Sequence, residues 1–298
     1  MVKKETDKIT NNLFKSYTDI SGIHHMEGYK LPSRNSISKI INSIKDLLFP
    51  GYFDSNEISS SAKDLNKKIS LCSIHLSDEI EKSFIWEYEN NKKSFNKKNI
   101  ENKSKKIAEE FLYELPLLRG NLKKDADAIY DGDPAAAYEP EIILCYPGFL
   151  AITVYRIAHF FKQKKVPLIP RIMTEIVHSE TGIDIHPSAK IGHHFFIDHG
   201  TGIVIGETAI IGNHVKFYQG VTIGALSVSK DQKEKKRHPT IEDNVTIYAR
   251  ATILGGKTII GKNSIIGGNL WITSSIPKNS KIYQITDSKN TVIKKNKT

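Results

Sequence analysis

The chain has 298 residues, of which 39% are hydrophobic and 26% charged, and its formal net charge is +10. Two cysteines, Cys72 and Cys145, are too few for a disulfide scaffold and fit a reducing compartment. No apolar run reaches the roughly 18 residues of a membrane span, and the start of the chain lacks the apolar core of a signal peptide. We therefore expect a soluble, cytoplasmic protein with two domains.

The positive charge does not indicate a nucleic-acid partner. Lysines are scattered along the chain, with local clusters at 92–106, 230–237 and 289–297, and no basic groove interleaved with aromatic residues is evident. A generally lysine-rich composition explains the charge, and we expect neither nucleic acid nor a membrane surface as partner.

The amino-terminal half reads as helical. Residues 1–30 are polar and unpatterned, so we expect them to be partly disordered. Apolar residues at helical spacing predict helices over 36–49, 65–84 and 107–115, with a polar connector at 89–105. Acidic residues before Pro134 predict a new helix there, and two more are predicted over 142–163 and 171–178.

From Ile185 to Ile272 an apolar residue returns at every sixth position, with two interruptions. The marked positions are Ile185, Ile191, Ile197, Ile205, Ile211, Phe217, Ile223, Ile241, Ile247, Ile253, Ile260, Ile266 and Ile272. A period of six fits neither a helix nor an alternating strand, and it is typical of the hexapeptide β-helix, a triangular prism of stacked coils. A sandwich of ordinary strands would need period-two alternation and hairpin turns, and the sequence has neither.

Both interruptions contain residues suited to catalysis. The first is a slip of two residues at 197–202, where His199 follows Asp198, and the second is a segment at about 225–239 that we predict to be an extruded loop ending in Arg237-His238-Pro239. With Asp198 or Asp184 holding one nitrogen, His199 could act as a general base; a solvated surface histidine is the alternative. His238 with Arg237 could stabilise a carboxylate or an oxyanion, or be one more basic patch.

Three further histidines, His193, His194 and His214, raise the question of a metal site. Their spacing matches no ligand pattern, and we predict that the chain binds no metal.

Seven motifs in order, astride the predicted loop, resemble serine O-acetyltransferases of the hexapeptide-repeat superfamily. They are Asp133-Pro134-Ala135-Ala136, Tyr155-Arg156-Ile157-Ala158-His159, Asp184-Ile185-His186-Pro187, Asp198-His199-Gly200-Thr201-Gly202, Gly206-Glu207-Thr208, Gln219-Gly220-Val221-Thr222-Ile223-Gly224 and Arg237-His238-Pro239. The resemblance spans roughly 130–276. It implies a left-handed parallel β-helix, which together with the helical pattern of the first half predicts an α+β protein. We expect an α-helical domain at 1–180 and the β-helix, with its extruded loop, at 181–276. A basic tail at 277–298 follows, where the chain departs from the usual close of such prisms.

The resemblance also implies an activity, transfer of acetyl from acetyl-CoA to the hydroxyl of L-serine in cysteine biosynthesis. His199 would then be the base and Asp184 would fix its tautomer. Asp133 and Asp198 would bind the substrate ammonium and Arg237 its carboxylate. His238, oriented by Glu207, would hold the substrate and the oxyanion.

Acetyl-CoA is the implied co-substrate, bound along a groove between neighbouring chains. Its expected backbone contacts are at Gly224, Ala225, Ala249 and Gly267, because small residues allow a close approach. The implied assembly is a homotrimer or a dimer of trimers, with L-cysteine as a feedback inhibitor. In many members a terminal isoleucine docks into O-acetylserine sulfhydrylase; this chain ends Lys297-Thr298, which places that complex in doubt.

Two other functions stay open on the sequence. The chain could acetylate a different hydroxyl or amine acceptor, although paired anchors for an ammonium and a carboxylate favour an amino acid. It could also be a non-catalytic or metal-binding β-helix.

Overall fold

The computed structural model describes residues 2–20, 23–26, 28–53, 61–226, 235–287 and 290–297. The chain divides into two compact units, residues 1–31 and 32–298. The first contains helix α1 (Val2–Asp19), whose apolar side chains Ile9, Leu13 and Phe14 are exposed. The sequence led us to expect partial disorder over residues 1–30, whereas residues 2–19 form a helix. Ile9 and Leu13 lie one turn apart, and the run has no proline or glycine to interrupt it.

The second unit begins with six helices. They are α2 (Arg34–Leu48), α3 (Ala62–Asn90), α4 (Lys97–Gly132), α5 (Glu139–Cys145), α6 (Pro147–Gln163) and α7 (Ile169–Thr181). The apolar face predicted for α2 is buried, including Ile37, Ile40 and Ile44. The connector predicted over 89–105 is shorter, because the Asn96 side chain caps the N-terminus of α4 by accepting from the Asn99 N–H at 3.2 Å.

Two helix predictions in this half are wrong. No helix begins at Pro134. Instead α4 runs on to Gly132, and Asp133 ends it by accepting from the Ala135 N–H in an Asx turn. The helix predicted over 142–163 is broken at Tyr146, since the following Pro147 disfavours helical backbone at the residue before it.

Among the described residues, no single helix is long and apolar enough to cross a membrane. Only α5 and α6 taken together, with a bend of 71° between them, have the length and apolar composition of a membrane span.

The repeat region forms three parallel sheets of very short strands. The strands are β1 (Asp184–Ile185), β2 (Lys190–Ile191), β3 (Phe196–Ile197), β4 (Val204–Ile205), β5 (Ile210–Ile211), β6 (Lys216–Phe217), β7 (Thr222–Gly224), β8 (Thr240–Ile241), β9 (Thr246–Ile247), β10 (Thr252–Leu254), β11 (Ile259–Ile260), β12 (Ile265–Ile266) and β13 (Trp271–Ile272). Strand order is β1-β4-β7-β10-β13 in the first sheet, β2-β5-β8-β11 in the second and β3-β6-β9-β12 in the third. Each strand therefore pairs with the strand three places on, as a three-sided coil requires.

The marked positions of the six-residue repeat form the core of the prism. Twelve of the thirteen are buried, and Ile191 is half-buried against the same core. Burial of one large apolar side chain per hexad, at about 25 cal/mol per Å², is the main stabilising term of such a column.

Helices α4, α6 and α7 pack on the first coil, through β3 and β1. Gly148 of α6 allows this contact, because a Cβ there would lie 2.7 Å from the Ile197 carbonyl oxygen. The change from helix to strand falls between Thr181 and Asp184, close to the predicted boundary at 180. The helices of the second unit and the prism nevertheless form one compact unit.

The segment predicted to be a basic tail contains two strands, β14 (Ser280–Asp287) and β15 (Asn290–Lys297). They form an antiparallel hairpin, and β14 extends the third sheet by pairing in parallel with β12. The prediction of a tail overlooked the β-branched and aromatic residues of 282–286, which favour strands. Of the loop predicted over 225–239, residues 227–234 lie outside the described residues.

Candidate active site

The prism has three corners, and the predicted catalytic base lies at the one between the third and first sheets. We call it the His199 corner; it comprises 198–203, 218–221, 248–251 and 267–270. Between β3 and β4 it has six residues, 198–203, whereas the next coil has four, 218–221. The extra residues are accommodated by left-handed backbone at His199 and Gly200, with φ of 57° and 87°. The inserted turn leaves the His199 side chain 69% exposed.

The nearest acid recorded for His199 is its chain neighbour. Nδ1 of His199 lies 3.5 Å from Oδ1 of Asp198, whose side chain is only 16% exposed. A carboxylate beside Nδ1 favours the tautomer that leaves Nε2 as the basic nitrogen. Asp198 therefore occupies, within this chain, the place that the resemblance assigned to Asp184.

Asp184 itself faces other groups. Its carboxylate lies within 4.8 Å of ligand-capable atoms of His178 and Glu175, at the end of α7. The structure records no contact between Asp184 and His199 in the described part of the chain. The pairing of these two residues stays a prediction.

Asp133 reaches the His199 corner from the end of α4. Its Oδ2 accepts from the Tyr146 hydroxyl at 2.6 Å and its Oδ1 from the Ala135 N–H at 2.8 Å. The Tyr146 hydroxyl, the Ala135 N–H and the nearby His199 together hold the pKa of Asp133 below its ordinary value. A charged carboxylate thus lies close to the imidazole. The Asp133 hydrogen bond raises the pKa of Tyr146 and burial raises the pKa of Tyr218, and the charges of Asp133 and Asp198 add to both increases. The joint binding of a substrate ammonium by Asp133 and Asp198 stays a prediction.

A groove of about 550 Å³ opens beside His199. Its lining includes Ala249, one of the residues predicted to contact acetyl-CoA, and Gly268, the neighbour of the predicted Gly267. A Cβ at position 268 would lie 2.9 Å from the Ala249 carbonyl oxygen, so a larger residue there would clash with the backbone of the neighbouring coil. Tyr218 and Tyr248 stack along the same wall, with ring centroids 4.9 Å apart.

The second corner, between the first and second sheets, holds the other predicted residues. We call it the Arg237 corner; it comprises 186–189, 206–209, 235–239 and 255–258. Nη2 of Arg237 forms an ion pair with the Glu207 carboxylate. Burial opposes ionisation of Glu207, but the hydrogen bond from Arg237 and the charges of His186 and Arg237 outweigh it. The pKa of Glu207 is therefore below its ordinary value.

Thr208, rather than Glu207, orients His238. The Thr208 N–H donates to Nδ1 of His238 at 3.0 Å, while the Thr208 hydroxyl oxygen accepts from the backbone N–H groups of Arg237 and His238. The predicted role of Glu207 in orienting His238 is corrected accordingly. Because Nδ1 accepts, the proton of the neutral ring is on Nε2, which is available as a donor.

His238 is kept neutral by its surroundings. Burial and the positive charges of Arg237 and Lys236 lower its pKa to about 4, and Glu207 opposes them. Gly206 provides the space for the ring, since a Cβ there would lie 2.0 Å from His238 Cδ2. A neutral donor next to a guanidinium is suited to an anionic oxygen.

The predicted site residues are therefore divided between two corners of one chain. Asp133, Asp198 and His199 lie at one end of β4, and Glu207, Arg237 and His238 at the other. The predicted acetyl-CoA contacts divide in the same way, with Ala249 and Gly267 at the His199 corner and Gly224 and Ala225 at the end of β7 towards the Arg237 corner.

Sequence reasoning missed several residues of these clusters. Tyr146 and Tyr218 had no signal beyond being aromatic, because a helix end and a stacked coil bring them to the site. Thr208 and His186 belong to motifs that carry the family resemblance, so the motifs alone could have indicated that both lie near the site. Burial, opposed by Glu207, lowers the pKa of His186 to about 4, with Arg171, Lys162 and Arg237 adding to the decrease.

This chain is similar to known serine acetyltransferases. A serine acetyltransferase of Synechococcus elongatus, described as plasmid-borne, is 41% identical over 292 residues, which cover 93% of this chain and 90% of that protein. The chain belongs to the serine acetyltransferase family. No family model matches it.

Other serine acetyltransferases extend the comparison. That of Bacillus licheniformis is 52% identical over 126 residues, 42% of this chain and 56% of that protein. The solved structure of Entamoeba histolytica serine acetyltransferase 1 in complex with L-cysteine superposes with a TM-score of 0.71 at 34% identity, covering 93% of this chain and 97% of that one. The left-handed parallel β-helix behind an α-helical region, predicted from the sequence, is confirmed for this member of the serine acetyltransferase family.

Proposed function

We propose that the protein transfers the acetyl group of acetyl-CoA to the hydroxyl of L-serine, giving O-acetylserine and CoA, as the entry step of cysteine biosynthesis. The observation that carries the proposal is the His199 corner, where an exposed imidazole lies beside two carboxylates at the mouth of a groove. Proteins named serine acetyltransferase are similar to this chain over nearly its whole length, and this similarity supports L-serine as the substrate.

The chemistry assigned to His199 is general base catalysis. Nε2 takes the proton of the serine hydroxyl as its oxygen attacks the thioester carbonyl carbon. The tetrahedral intermediate then collapses with loss of the CoA thiolate, which receives the proton back from the imidazolium. Positioned proton transfer of this kind contributes about 10² to 10⁴ in rate. Asp198, and Asp184 as first predicted, would stabilise the imidazolium.

The other predicted residues fit the remaining charges of the substrate. Asp133 and Asp198 would bind the ammonium group, and the ionised state of Asp133 supports this role. Arg237 would meet the carboxylate, with Glu207 holding its guanidinium. His238, a neutral Nε2–H donor, would hydrogen-bond to the developing oxyanion.

A complete site requires two chains. The ammonium anchors and the base lie at one corner, and the carboxylate anchor and the oxyanion donor lie at another. A small zwitterion can contact both groups only where the His199 corner of one protomer faces the Arg237 corner of its neighbour. We therefore propose a homotrimer with three such junctions, singly or paired back to back.

Acetyl-CoA would lie along the same junction. Ala249 and Gly267 would contact it from the His199 corner, and Gly224 and Ala225 from the Arg237 corner of the neighbour. The stacked rings of Tyr218 and Tyr248 would add an apolar wall.

We also propose that L-cysteine inhibits by occupying the serine pocket. Its ammonium and carboxylate match those of serine, and solved relatives hold cysteine. Inhibition should therefore be competitive with L-serine.

The deciding experiment follows thiol release from acetyl-CoA with L-serine, L-homoserine, a sugar and an amine as acceptors. We expect kcat/KM for L-serine to exceed that for the other acceptors by at least about tenfold, since loss of a buried hydrogen-bonded contact costs that much. Preference for a sugar or an amine would refute the proposal and support an acetyltransferase for another acceptor. Absence of thiol release with every acceptor would support a non-catalytic β-helix.

A further inference from the structure

The third corner of the prism, between the second and third sheets, carries a cluster of three histidines. His193 and His194 come from the first coil and His214 from the second, and one ring nitrogen of each lies within 4.8 Å of the others. Nδ1 of His193 is 2.8 Å from Nδ1 of His194, and the rings of His194 and His214 are stacked with centroids 4.2 Å apart. His193 and His194 are half-buried and His214 is exposed.

The backbone alone does not explain the choice of histidine here. One position of this corner is left-handed in every coil, and its occupants in chain order are His194, His214, Asn244, Asn263 and Asn279, with φ between 55° and 59°. The three asparagines form an amide ladder, with Asn244 donating to Asn263 at 3.2 Å and Asn263 to Asn279 at 2.9 Å. Asparagine is favoured in left-handed backbone and would suit the first two coils as well. The presence of His194 and His214 at these positions, next to His193, therefore indicates a role beyond adopting left-handed backbone.

The framework around the cluster is well held. Nη2 of Arg156 donates to the Gly192 carbonyl at 2.7 Å, and the Phe195 N–H donates to the Asp125 carboxylate at 3.0 Å. Asn213 accepts from the His193 N–H at 3.1 Å, which ties the first coil to the second. The backbone on both sides of His193 and His194 is thus fixed before any ligand arrives.

We propose that His193, His194 and His214 bind a divalent first-row transition-metal ion, with Zn²⁺ as the reference ion. Three imidazole nitrogens suit Zn²⁺, Ni²⁺, Cu²⁺ or Co²⁺, whereas Mg²⁺ and Ca²⁺ prefer oxygen ligands. Two nitrogens at about 2.0 to 2.1 Å from a tetrahedral Zn²⁺ are roughly 3.3 Å apart, so the 2.8 Å pair has to open slightly. The stacked rings of His194 and His214 also have to rotate, so that each directs a nitrogen at the ion. The fourth position would be left to water or to a group from another molecule.

This site is separate from the proposed active site. The His199 and Arg237 corners are the other two corners of the triangle, and none of the three histidines belongs to them. The bound ion would join the first coil to the second and stabilise the end of the prism on which α4 and α6 pack. The sequence prediction of no metal was made on spacing along the chain, and stacking of the coils removes that objection.

The test uses the full chain without a histidine tag, freed of metal by a chelator and then dialysed. We expect calorimetric titration with ZnCl₂ to show one site per chain and saturation to raise the thermal unfolding midpoint. In the double variant His194→Asn/His214→Asn, zinc affinity should fall by more than about 100-fold, because two of the three ligands are gone. Asn continues the ladder of the lower coils, so the fold and the thiol-release activity should be retained.

Two controls sharpen the result. His75→Asn replaces an exposed histidine of α3 far from the cluster in sequence and should bind zinc as the parent protein does. Co²⁺ bound to the unmodified protein should give the visible absorption of a tetrahedral site. A parent protein that binds no zinc, a double variant that binds it equally well, or a Co²⁺ spectrum without those bands would each overturn the proposal.

Discussion

His199 is presented to solvent by its own backbone. Its φ of 57° and the left-handed Gly200 after it form the inserted turn, and the imidazole side chain is 69% exposed. Few residue types tolerate that conformation, and histidine is among those enriched in it. The position therefore supports both the geometry and the chemistry assigned to it.

Replacement of His199 should remove the base. We expect His199→Ala to lower kcat by ~10² to 10⁴ with the fold intact. The matched variant His199→Asn should do the same without strain in the left-handed turn. The measurement is thiol release at saturating serine, with circular dichroism to verify folding. Near-normal turnover of His199→Asn would remove the assigned base, and His75→Ala serves as the neutral control.

Gly206 should matter because of His238. An added Cβ would lie 2.0 Å from Cδ2 and 2.1 Å from Nε2 of that ring, so Gly206→Ala must displace the imidazole from Thr208. We expect kcat/KM to fall by roughly 10²-fold. The control is Gly120→Ala in α4, where an added Cβ meets nothing within 4 Å; it should stabilise the protein by about 0.5 to 1 kcal/mol and leave kcat/KM unchanged. Equal kinetics for the two variants would contradict the role of His238.

The depressed pKa of His238 predicts a pH dependence of stability. In the unfolded chain the imidazole gains a proton as pH falls through about 6.5, whereas in the folded protein it does so only near 4. Protons therefore favour the unfolded state, and the free energy of unfolding should decrease as pH is lowered from 6.5 towards 4. Urea denaturation at several pH values should show a smaller decrease for His238→Asn. The same slope in both proteins would refute this assignment.

At the scale of elements, α4, α6 and the first coil meet at one ion pair. Nε of Arg156 in α6 donates to the Asp125 carboxylate of α4 at 2.6 Å, and the two side chains are 11% and 0% exposed. The same two residues also bond to the backbone of 192–195. One pair thus fixes the end of α4, and with it Asp133, relative to the prism.

Loss of one partner should be costly. Asp125→Asn leaves the Arg156 guanidinium without its charge partner in a buried position, and we expect a loss of roughly 3 to 5 kcal/mol in the free energy of unfolding. Glu101→Gln breaks the exposed contacts with Lys98 and Lys105 and should reduce the free energy of unfolding far less than Asp125→Asn does, because solvent screens these contacts. Chemical denaturation of both variants provides the comparison, and similar losses would show that burial does not set the cost.

At the scale of the whole molecule, the proposed site is incomplete in one chain. The residues proposed as base and ammonium anchors are at one corner of the prism, and those proposed as carboxylate anchor and oxyanion donor are at the next. Under this proposal, an assembly of identical chains brings the two corners together. Its symmetry would repeat the same junction at every interface.

Mixing two inactive variants tests this arrangement. If each junction takes His199 from one protomer and Arg237 from its neighbour, His199→Asn and Arg237→Ala chains unfolded and refolded together in equal amounts should regain about one quarter of the parent activity, because a quarter of the junctions combine two intact corners. Each variant refolded alone should stay inactive. A mixture no more active than its components would show that one chain provides the whole site.

The sequence by itself determined the prism, because each hexad has to bury one apolar residue and this requirement leaves a six-residue apolar repeat in the sequence. It also determined most candidate catalytic residues, since Asp198-His199 and Arg237-His238 stand where the repeat is interrupted. Only the tertiary structure decided that α4 runs on to Gly132 and ends at Asp133, that Thr208 orients His238, and that Tyr146 and Tyr218 flank the site. These contacts depend on where helices end and on which corners the stacked coils bring into line. The three histidines of the third corner show the same limit: they lie up to 21 residues apart in sequence and meet only because one coil lies above the next.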